Sequence, residues 1–348
     1  NMYGYVYIRN LVEKYKLQPV TSLETWEAYM DAVVQNEKFT PLNGDSNDAN
    51  HLYRLFVAST GRWYDAPGIA FSQLYLVTTS PDNFREVIHP AFTEEFMDWA
   101  IRMHRWNAKG YWPRDVLSAS ISAKDNFKNG NSGGFITHQP DWTGFYGVVQ
   151  TDLPGVITDF YCPAEVNGKL VRMPAVQDIT GISALSKNAD RSLMAIEKFM
   201  TDRSYYELVQ YGIRGRQYEV VDGVSVQPAG YDNEKDSGGF AAWALRNSKF
   251  NIPYASEDPR RYTLNDAWDK VGKDDPYIGF AFDPAKVNTE IAAISSVNSQ
   301  LGIQIMLGKT SDPEAAVEQY RRQLTQAGID KLIAEVESQL ANFTPPGQ

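Results

Sequence analysis

DITGISALSKNADRSLMAIEKFMTDRSYYELVQYGIRGRQYEVVDGVSVQP, residues 178–228, has the clearest local grammar in this chain. A β-prone run ends at Ser186, and Asn188 or Asp190 then opens a helix carrying Leu193, Ile196 and Phe199 at helical spacing. A second helix begins near Ser204 and stops at Gly212. Tyr218 to Val226 reads as a hairpin around Asp222-Gly223, a pair that accepts the positive φ a tight turn needs.

Strands and helices alternate outward from there. YGYVYIRN (3–10) is a strand, LVEKYKLQP (11–19) a short helix closed by Pro19, and TSLETWEAYMDAVVQNE (21–37) a helix. In the last, Thr21 or Ser22 can cap with Glu24 nearby, and Leu23, Trp26, Tyr29, Met30 and Val33 form one apolar face. Residues 40–48 are loop, and ANHLYRLFVAST (49–60) is a helix ending at Gly61, after which Trp63 and Tyr64 precede a Pro-Gly turn. AFTEEFMDWAIRMHRWNAKG (91–110) is a helix with Phe92, Phe96, Trp99, Ile101, Met103 and Trp106 at its apolar positions and Gly110 as its stop. EVNGKLVRMP (165–174) reads as a hairpin around Asn167-Gly168. Residues 230–280 are mixed and polar. The tail is helical over 285–301, 315–328 and 329–343, with Asp312 and Pro313 at a cap and first turn and Gly328 between two helices. This alternation predicts an α/β fold.

Composition narrows the function. With 348 residues there is room for two domains, and no apolar run approaches the roughly 18 residues needed to span a bilayer. A formal charge of -10 and a pI near 5.0 oppose phosphate binding, so nucleic acid is not an expected partner. Cys162 is the single cysteine and cannot form an internal disulfide. Neither CxxC nor Cys/His spacing points to zinc, and His51, His89, His104 and His138 are scattered, so no metal or cofactor is expected. Nucleophile elbow, phosphate loop, HExxH and EF-hand patterns are absent.

The most unusual loop is GNSGGFITHQPDWTGF, residues 130–145. Gly130, Gly133 and Gly134 let the backbone turn into a short strand at Phe135-Ile136, and Pro140 stops that strand so that Asp141 and Trp142 project from its end. A sugar offers C–H faces and a rim of hydroxyls, and is held by flat rings with carboxylate, amide or guanidinium groups in plane. Trp63-Tyr64, Asp141-Trp142, Tyr146, Tyr231 and Trp243 all lie outside helical stripes, in loops rich in Gly, Pro, Asn and Asp. Two other readings share these residues. A glycoside hydrolase would need a second acid opposite Asp141, and Asp65, Asp178 and Glu219 are equally eligible. Alternatively Trp142 is core and the ligand is a peptide or another solute.

Three segments resemble the extracellular solute-binding proteins of bacterial ABC importers, in their carbohydrate-binding group and its lipoprotein subgroup with a C-terminal helical region. They are DNFKNGNSGGFITHQPDWTGF (125–145), TGISALSKNADRSLMAIEKFMTDRSYYELVQYGIRGRQYEV (180–220) and VNTEIAAISSVNSQLGIQIMLGKTSDPEAAVEQYRRQLTQAGIDKLIAEVESQL (287–340). The resemblance runs from about Tyr5 to Phe343. It implies a two-lobed α/β fold of type II, with mixed sheets flanked by helices and a ligand cleft between lobes. The expected organisation is second-lobe structure with cleft loops over 1–185, return segments and hinge-proximal hairpins over 186–281, and a C-terminal helical region over 282–348 packing on the first lobe. The implied function is capture of an oligosaccharide, without catalysis, and delivery to ABC permease subunits by a monomer held at the outer face of the cytoplasmic membrane. Trp142 matches the family's stacking aromatic, with Asp141 beside it, while Trp63, Tyr64, Trp243 and Arg216 take cleft positions by loop order. The family begins with a signal peptide, a lipidated cysteine and the first βαβ units of its N-terminal lobe, from which this sequence departs. The expectation is that the native product extends upstream.

Overall fold

The computed structural model describes residues 2–65, 75–172, 179–237 and 245–345. The chain forms two compact units, the first made of residues 1–142, 148–172 and 261–348, the second of 143–147 and 173–260. These boundaries differ from those expected at 185/186 and 281/282. The N-terminal strand and the C-terminal helices bury their apolar faces within the same unit, so sequence order and compactness part company.

Unit 1 is organised by the strand Tyr3–Ile8. Gly134–His138 and Thr158–Tyr161 flank it, both antiparallel, with Tyr5 opposite Ile136 on one side and Tyr161 on the other. Residues 4–8 are all buried, as a strand without a polar face requires. Two buried tyrosine hydroxyls, one on this strand and one beside it, have partners. Tyr5 donates to Pro41 O at 2.9 Å, and Tyr29, from the helix Leu23–Asn36, donates to Gly133 O at 2.7 Å while accepting the Ile8 N–H at 3.1 Å. The strands approach so closely that a Cβ at Gly134 would lie 2.3 Å from Val6 O. Of the three glycines singled out there, only Gly130 has a positive φ, 72°. Gly134 is needed for proximity.

Helix Leu23–Asn36 is capped by Ser22, whose reciprocal partner in the capping box is Thr25. Glu24 is one position short of the N3 site that closes such a box. Helix Glu94–Lys109 starts at Thr93 and ends at Gly110, left-handed with φ 79°. Its buried face is Phe96, Trp99, Met103 and Trp106, whereas Phe92 precedes the cap and Ile101 lies off that stripe, and both are exposed. Trp26 meets Trp106 edge-on at 5.0 Å. Glu27 sits beside this pair and accepts from Trp106 Nε1 at 3.0 Å, Lys109 Nζ at 2.8 Å and Arg105 Nη2 at 2.8 Å.

The expected hairpin at Asn167-Gly168 is replaced by a helical turn, Pro163–Val166, with Val171–Arg172 pairing in parallel with Lys273–Asp274. A left-handed residue after Asn serves a helix end as well as a hairpin, and Gly168 has φ 64°. No strand ends at Ser186; residues 179–186 are irregular.

The tail forms helices Asn288–Val297, Ile303–Met306, Pro313–Gln326 and Ile329–Ala341, the first two joined by a π-turn at Asn298–Gly302. Asp312 caps with Pro313 in the first turn, and Gly328 has φ 89°. Val317, Tyr320, Leu324, Leu332, Val336 and Leu340 are fully buried. Arg321 donates to Ala91 O at 2.6 Å and Thr93 O at 2.7 Å, Arg85 to Leu340 O and Phe343 O, and Trp112 Nε1 to Leu307 O. These bonds tie the C-terminal helices to backbone carbonyls at the ends of neighbouring segments.

Unit 2 is thinner. Helices Ala189–Thr201 and Arg203–Gln210 are followed by a hairpin of Glu219–Val221 and Val224–Val226 and a short helix Asn233–Asp236. Asp222 and Gly223, with φ 50° and 82°, form the expected turn. The core comprises Tyr206, Tyr211, Tyr218 and Ile252, with Val220 and Phe250 packed against them.

Two stability changes follow. Arg321→Ala is expected to lower unfolding free energy in urea by about 2 kcal/mol, with Lys restoring less than half because it lacks the planar fork. Burial holds His89 down to about 3, from the ordinary 6.5. It is ringed by Tyr75, Phe92 and Tyr320, and its Nδ1 accepts the Ala91 N–H at 3.2 Å. The unfolded chain therefore takes up a proton the native state refuses. Stability fully present above pH 6.5 is lost as pH falls towards 3, by up to about 1.4 kcal/mol per pH unit. His89→Asn, which can still accept from Ala91, should flatten that part of the stability profile.

Candidate functional site

In unit 1 the Asp141-Trp142 pair does not project from a strand end. Residues Gln139–Gly144 form a helical turn directly after the strand Gly134–His138, with Pro140 in its first turn, which swings the ring inward. Trp142 is 3% exposed, stacks on Phe160 at 5.0 Å and 8°, and donates Nε1 to Thr158 Oγ1 at 3.1 Å. It presents no open face for a sugar. Asp141 receives Lys124 Nζ at 2.5 Å and Thr137 Oγ1 at 2.7 Å, and its own N–H donates to His138 Nδ1 at 3.1 Å. Burial pushes the carboxyl up, but the bonds from Lys124 and Thr137 outweigh it and hold it below the usual carboxylate range.

Trp63 and Tyr64 are also packing residues here, 1% and 6% exposed. Trp63 lies edge-on to Phe56 at 5.6 Å, and the Lys169 ammonium covers the Tyr64 ring at 4.6 Å. Trp243 and Asp178 lie outside the described residues. Glu219, in unit 2, has Arg214 at 3.7 Å.

Unit 2 contains a pocket of about 560 Å³, built by the stretch 210–256. Tyr211, Tyr218, Tyr231 and Tyr254 line it, with Gln210, Gln217 and Gln227, Asp236, and the serines 225, 237 and 256. The turn Gly212–Gly215 makes it possible. Both glycines are left-handed, at 87° and 85°, and reverse the chain so that the Tyr211 and Tyr218 rings meet at 5.3 Å. A Cβ at Gly212 would lie 2.3 Å from Gln217 Oε1. Tyr254 meets Tyr211 from another side at 5.1 Å.

Hydrogen bonds fix this floor. The Tyr211 hydroxyl accepts from Ile252 N at 2.7 Å and donates to Ile252 O at 2.9 Å. Tyr218 donates to Glu207 at 2.9 Å, and Glu207 is held by Arg203 at 2.7 Å. Burial and the Glu207 carboxylate push the Tyr218 hydroxyl up to about 12. Gln217 accepts from Ile213 N and donates to Asp236 O, each at 2.9 Å. Arg216 donates to Asp236 Oδ1 at 3.0 Å, and the Asp232 N–H reaches Oδ2 at 3.2 Å. Thus Asp236, the one carboxylate among the described lining residues, is charge-compensated. Arg216 stands behind Asp236 and outside the lining, and Tyr146 is half-buried, also outside it.

The arrangement offers rigid rings with amides and hydroxyls at their rim. Among the described residues, no group of His, Cys, Asp or Glu could hold a metal ion, and no helix is long and apolar enough to cross a membrane. Sequence reading had singled out Tyr231. It missed Tyr211, Tyr218, Tyr254 and Gln217, for which the two glycines around Ile213-Arg214 were the available signal.

Residues 276–345 match the model of a domain of unknown function, DUF3502. The chain is a homologue of a carbohydrate ABC transporter substrate-binding protein of Streptococcus pneumoniae, 25% identical over 288 residues that make up 76% of this chain and 52% of the relative. It therefore spans about half the length of that curated relative. Among solved structures, the N-glycan transport solute binding protein of Streptococcus pneumoniae aligns with a TM-score of 0.72 at 17% identity, over 98% of this chain and 72% of that one. The same protein has been solved with Man1GlcNAc and with Man5GlcNAc. An extracellular solute-binding protein from Bifidobacterium longum subsp. infantis aligns with a TM-score of 0.65 at 12% identity, over 99% and 74%. These likenesses show the fold, the α/β fold of two-lobed solute-binding proteins.

Because the ring is buried, Trp142→Ala is expected to lower unfolding free energy by about 3 kcal/mol, read by urea denaturation, with Trp142→Phe losing markedly less.

Proposed function

We propose that this chain acts as a solute-binding component of a carbohydrate ABC importer, holding an oligosaccharide without chemical change and passing it to the permease subunits. The observation that carries this reading is the unit 2 pocket. Tyr211, Tyr218 and Tyr254 give an aromatic floor, Gln217 and Gln227 an amide rim, and Asp236, the only carboxylate among the described lining residues, is already paired with Arg216. A site with rings, amides and no uncompensated charge suits a neutral sugar, whose C–H faces stack and whose hydroxyls bridge donors and acceptors. The homologous importer component and the glycan complexes of a structural neighbour support the same class of ligand. Binding alone is the proposed activity. Asp141 is engaged by Lys124 and Thr137, and the relatives are substrate-binding transport proteins.

The proposal places the protein outside the cytoplasmic membrane, anchored by lipid, as a monomer. Its ligand contacts are Tyr231, Tyr254, Gln217 and Gln227, with Arg216 positioning Asp236. Isothermal titration with Man5GlcNAc and a panel of neutral oligosaccharides tests this, and heat from none of them would overturn it. Release of smaller sugars on incubation, followed by chromatography, would replace it with hydrolysis. Tyr231→Ala is expected to weaken binding at least about tenfold, near 1.4 kcal/mol. Its melting temperature should stay within about 2 °C, since Tyr231 lies outside the Tyr206, Tyr211, Tyr218 and Ile252 cluster.

A further inference from the structure

Asp236 enters the unit 2 pocket from the end of the short helix Asn233–Asp236, and each of its carboxylate oxygens already holds one donor from the protein. Arg216 Nε reaches Oδ1 at 3.0 Å, and the Asp232 N–H reaches Oδ2 at 3.2 Å. A carboxylate offers about four acceptor sites, so lone pairs remain on both oxygens for donors arriving from the pocket. The backbone carbonyl of Asp236 takes Gln217 Nε2 at 2.9 Å, while Gln217 Oε1 takes the Ile213 N–H at 2.9 Å. The acid and the amide beside it are therefore held in one orientation.

Viewed from the pocket, the ion pair is lopsided. The Asp236 side chain is 14% exposed and belongs to the lining, whereas that of Arg216 is 64% exposed and lies outside it. The pair sums to zero charge but turns its negative end inward. Among the described lining residues there is no lysine, arginine or histidine to offset that end; the donors there are the amides of Gln210, Gln217 and Gln227 and the hydroxyls of tyrosine and serine. The charges flanking the pair in sequence are committed to each other, Lys235 to Asp232 at 2.7 Å and Arg214 to Glu219 at 3.7 Å. A ligand hydroxyl arriving at Asp236 donates a charge-assisted hydrogen bond. A sugar carboxylate or phosphate gives up water, meets like charge and finds only neutral donors in return. A sugar ammonium meets an opposite charge that Arg216 largely cancels.

We propose that the Asp236–Arg216 pair is the charge filter of this pocket. Asp236 accepts ligand hydroxyls and turns away acidic saccharides, such as uronates, sialic acids and sugar phosphates. Arg216, from behind, keeps amino sugars from being preferred over neutral ones. Arg216 is a positioning residue in this scheme, because it acts on the ligand only through Asp236. The filter rests on the sugar-binding reading and deepens it: the rings and amides supply the hold on a sugar, and the ion pair decides which charge class is admitted.

The test is calorimetric titration with Man5GlcNAc and two derivatives of it, one with primary hydroxyls oxidised to carboxylates and one with the N-acetyl group removed to leave a free amine. The wild type is expected to prefer the neutral glycan to the carboxylated one by at least about tenfold and to bind the amine about as well as the neutral form. Arg216→Gln keeps a donor to Asp236 without the charge. It should bind the amine at least about tenfold better than the wild type does, a gain that disappears in about 1 M salt, where charges are screened within a few ångströms. Arg216→Lys should restore the wild-type ratios to within about threefold, and Asp236→Asn should shrink the preference for neutral over carboxylated glycan to about threefold or less. Melting curves show which variants fold, and Arg216→Gln, altered outside the lining, carries the test if Asp236→Asn does not. Wild-type ratios in Arg216→Gln, a salt-independent change in them, or a wild type that binds all three glycans alike would each overturn the filter while leaving the sugar reading in place. A wild type that binds none of the three would overturn the filter and count against the sugar reading as well.

Discussion

Unit 1 depends on one constraint, the burial of the strand Tyr3–Ile8 on both faces with tyrosine hydroxyls inside. A buried hydroxyl without a partner is expensive, so each one dictates where another segment must run. Tyr5 brings Pro41 to the strand, and Tyr29 ties Ile8 to Gly133 across more than a hundred residues of sequence. Gly134 has no room for a side chain because Val6 O and the Tyr5 ring lie where its Cβ would be. Around this knot the aromatic rings of Trp26, Trp106 and Tyr161 close the core, and Glu27 gathers the polar ends of Trp106, Arg105 and Lys109 at its edge.

Unit 2 uses tyrosine in a different economy. Its core is small, so Tyr211 serves both as core and as pocket floor, with both bonds of its hydroxyl to Ile252 freezing the ring's orientation. Rings whose orientation is already fixed lose little freedom when another group stacks on them. Arg216 contributes indirectly. By neutralising Asp236 it turns an acidic rim into a polar, uncharged one.

Much of the secondary structure was legible because its causes are local. Ser22, Thr93 and Asp312 cap, Gly110 and Gly328 turn left-handed, and Asp222-Gly223 closes a hairpin, all within a few residues of the side chains responsible. Asn167-Gly168 misled because a positive φ ends a helix as readily as it turns a hairpin. The resemblance to solute-binding proteins identified the fold through order and spacing. The candidate site was legible only in part: Tyr231 was singled out for its loop, while Tyr211, Tyr218 and Tyr254 looked like a helix end, a strand start and a coil residue.

Sequence by itself determined what each residue can do over one or two turns of chain: helical stripes, caps, turns, and a supply of rings and amides without metal ligands. Tertiary structure alone decided which of those rings line the pocket and which pack in a core. Trp142 was turned into the core by a helix beginning at Gln139, where Pro140 fits a first turn as well as a strand end, and Phe160 and Thr158 then claimed its face and its N–H. Stacking on a sugar and stacking on a phenylalanine ask the same of an indole. The choice between them is made by what lies against the ring in space, which spacing along the chain does not encode.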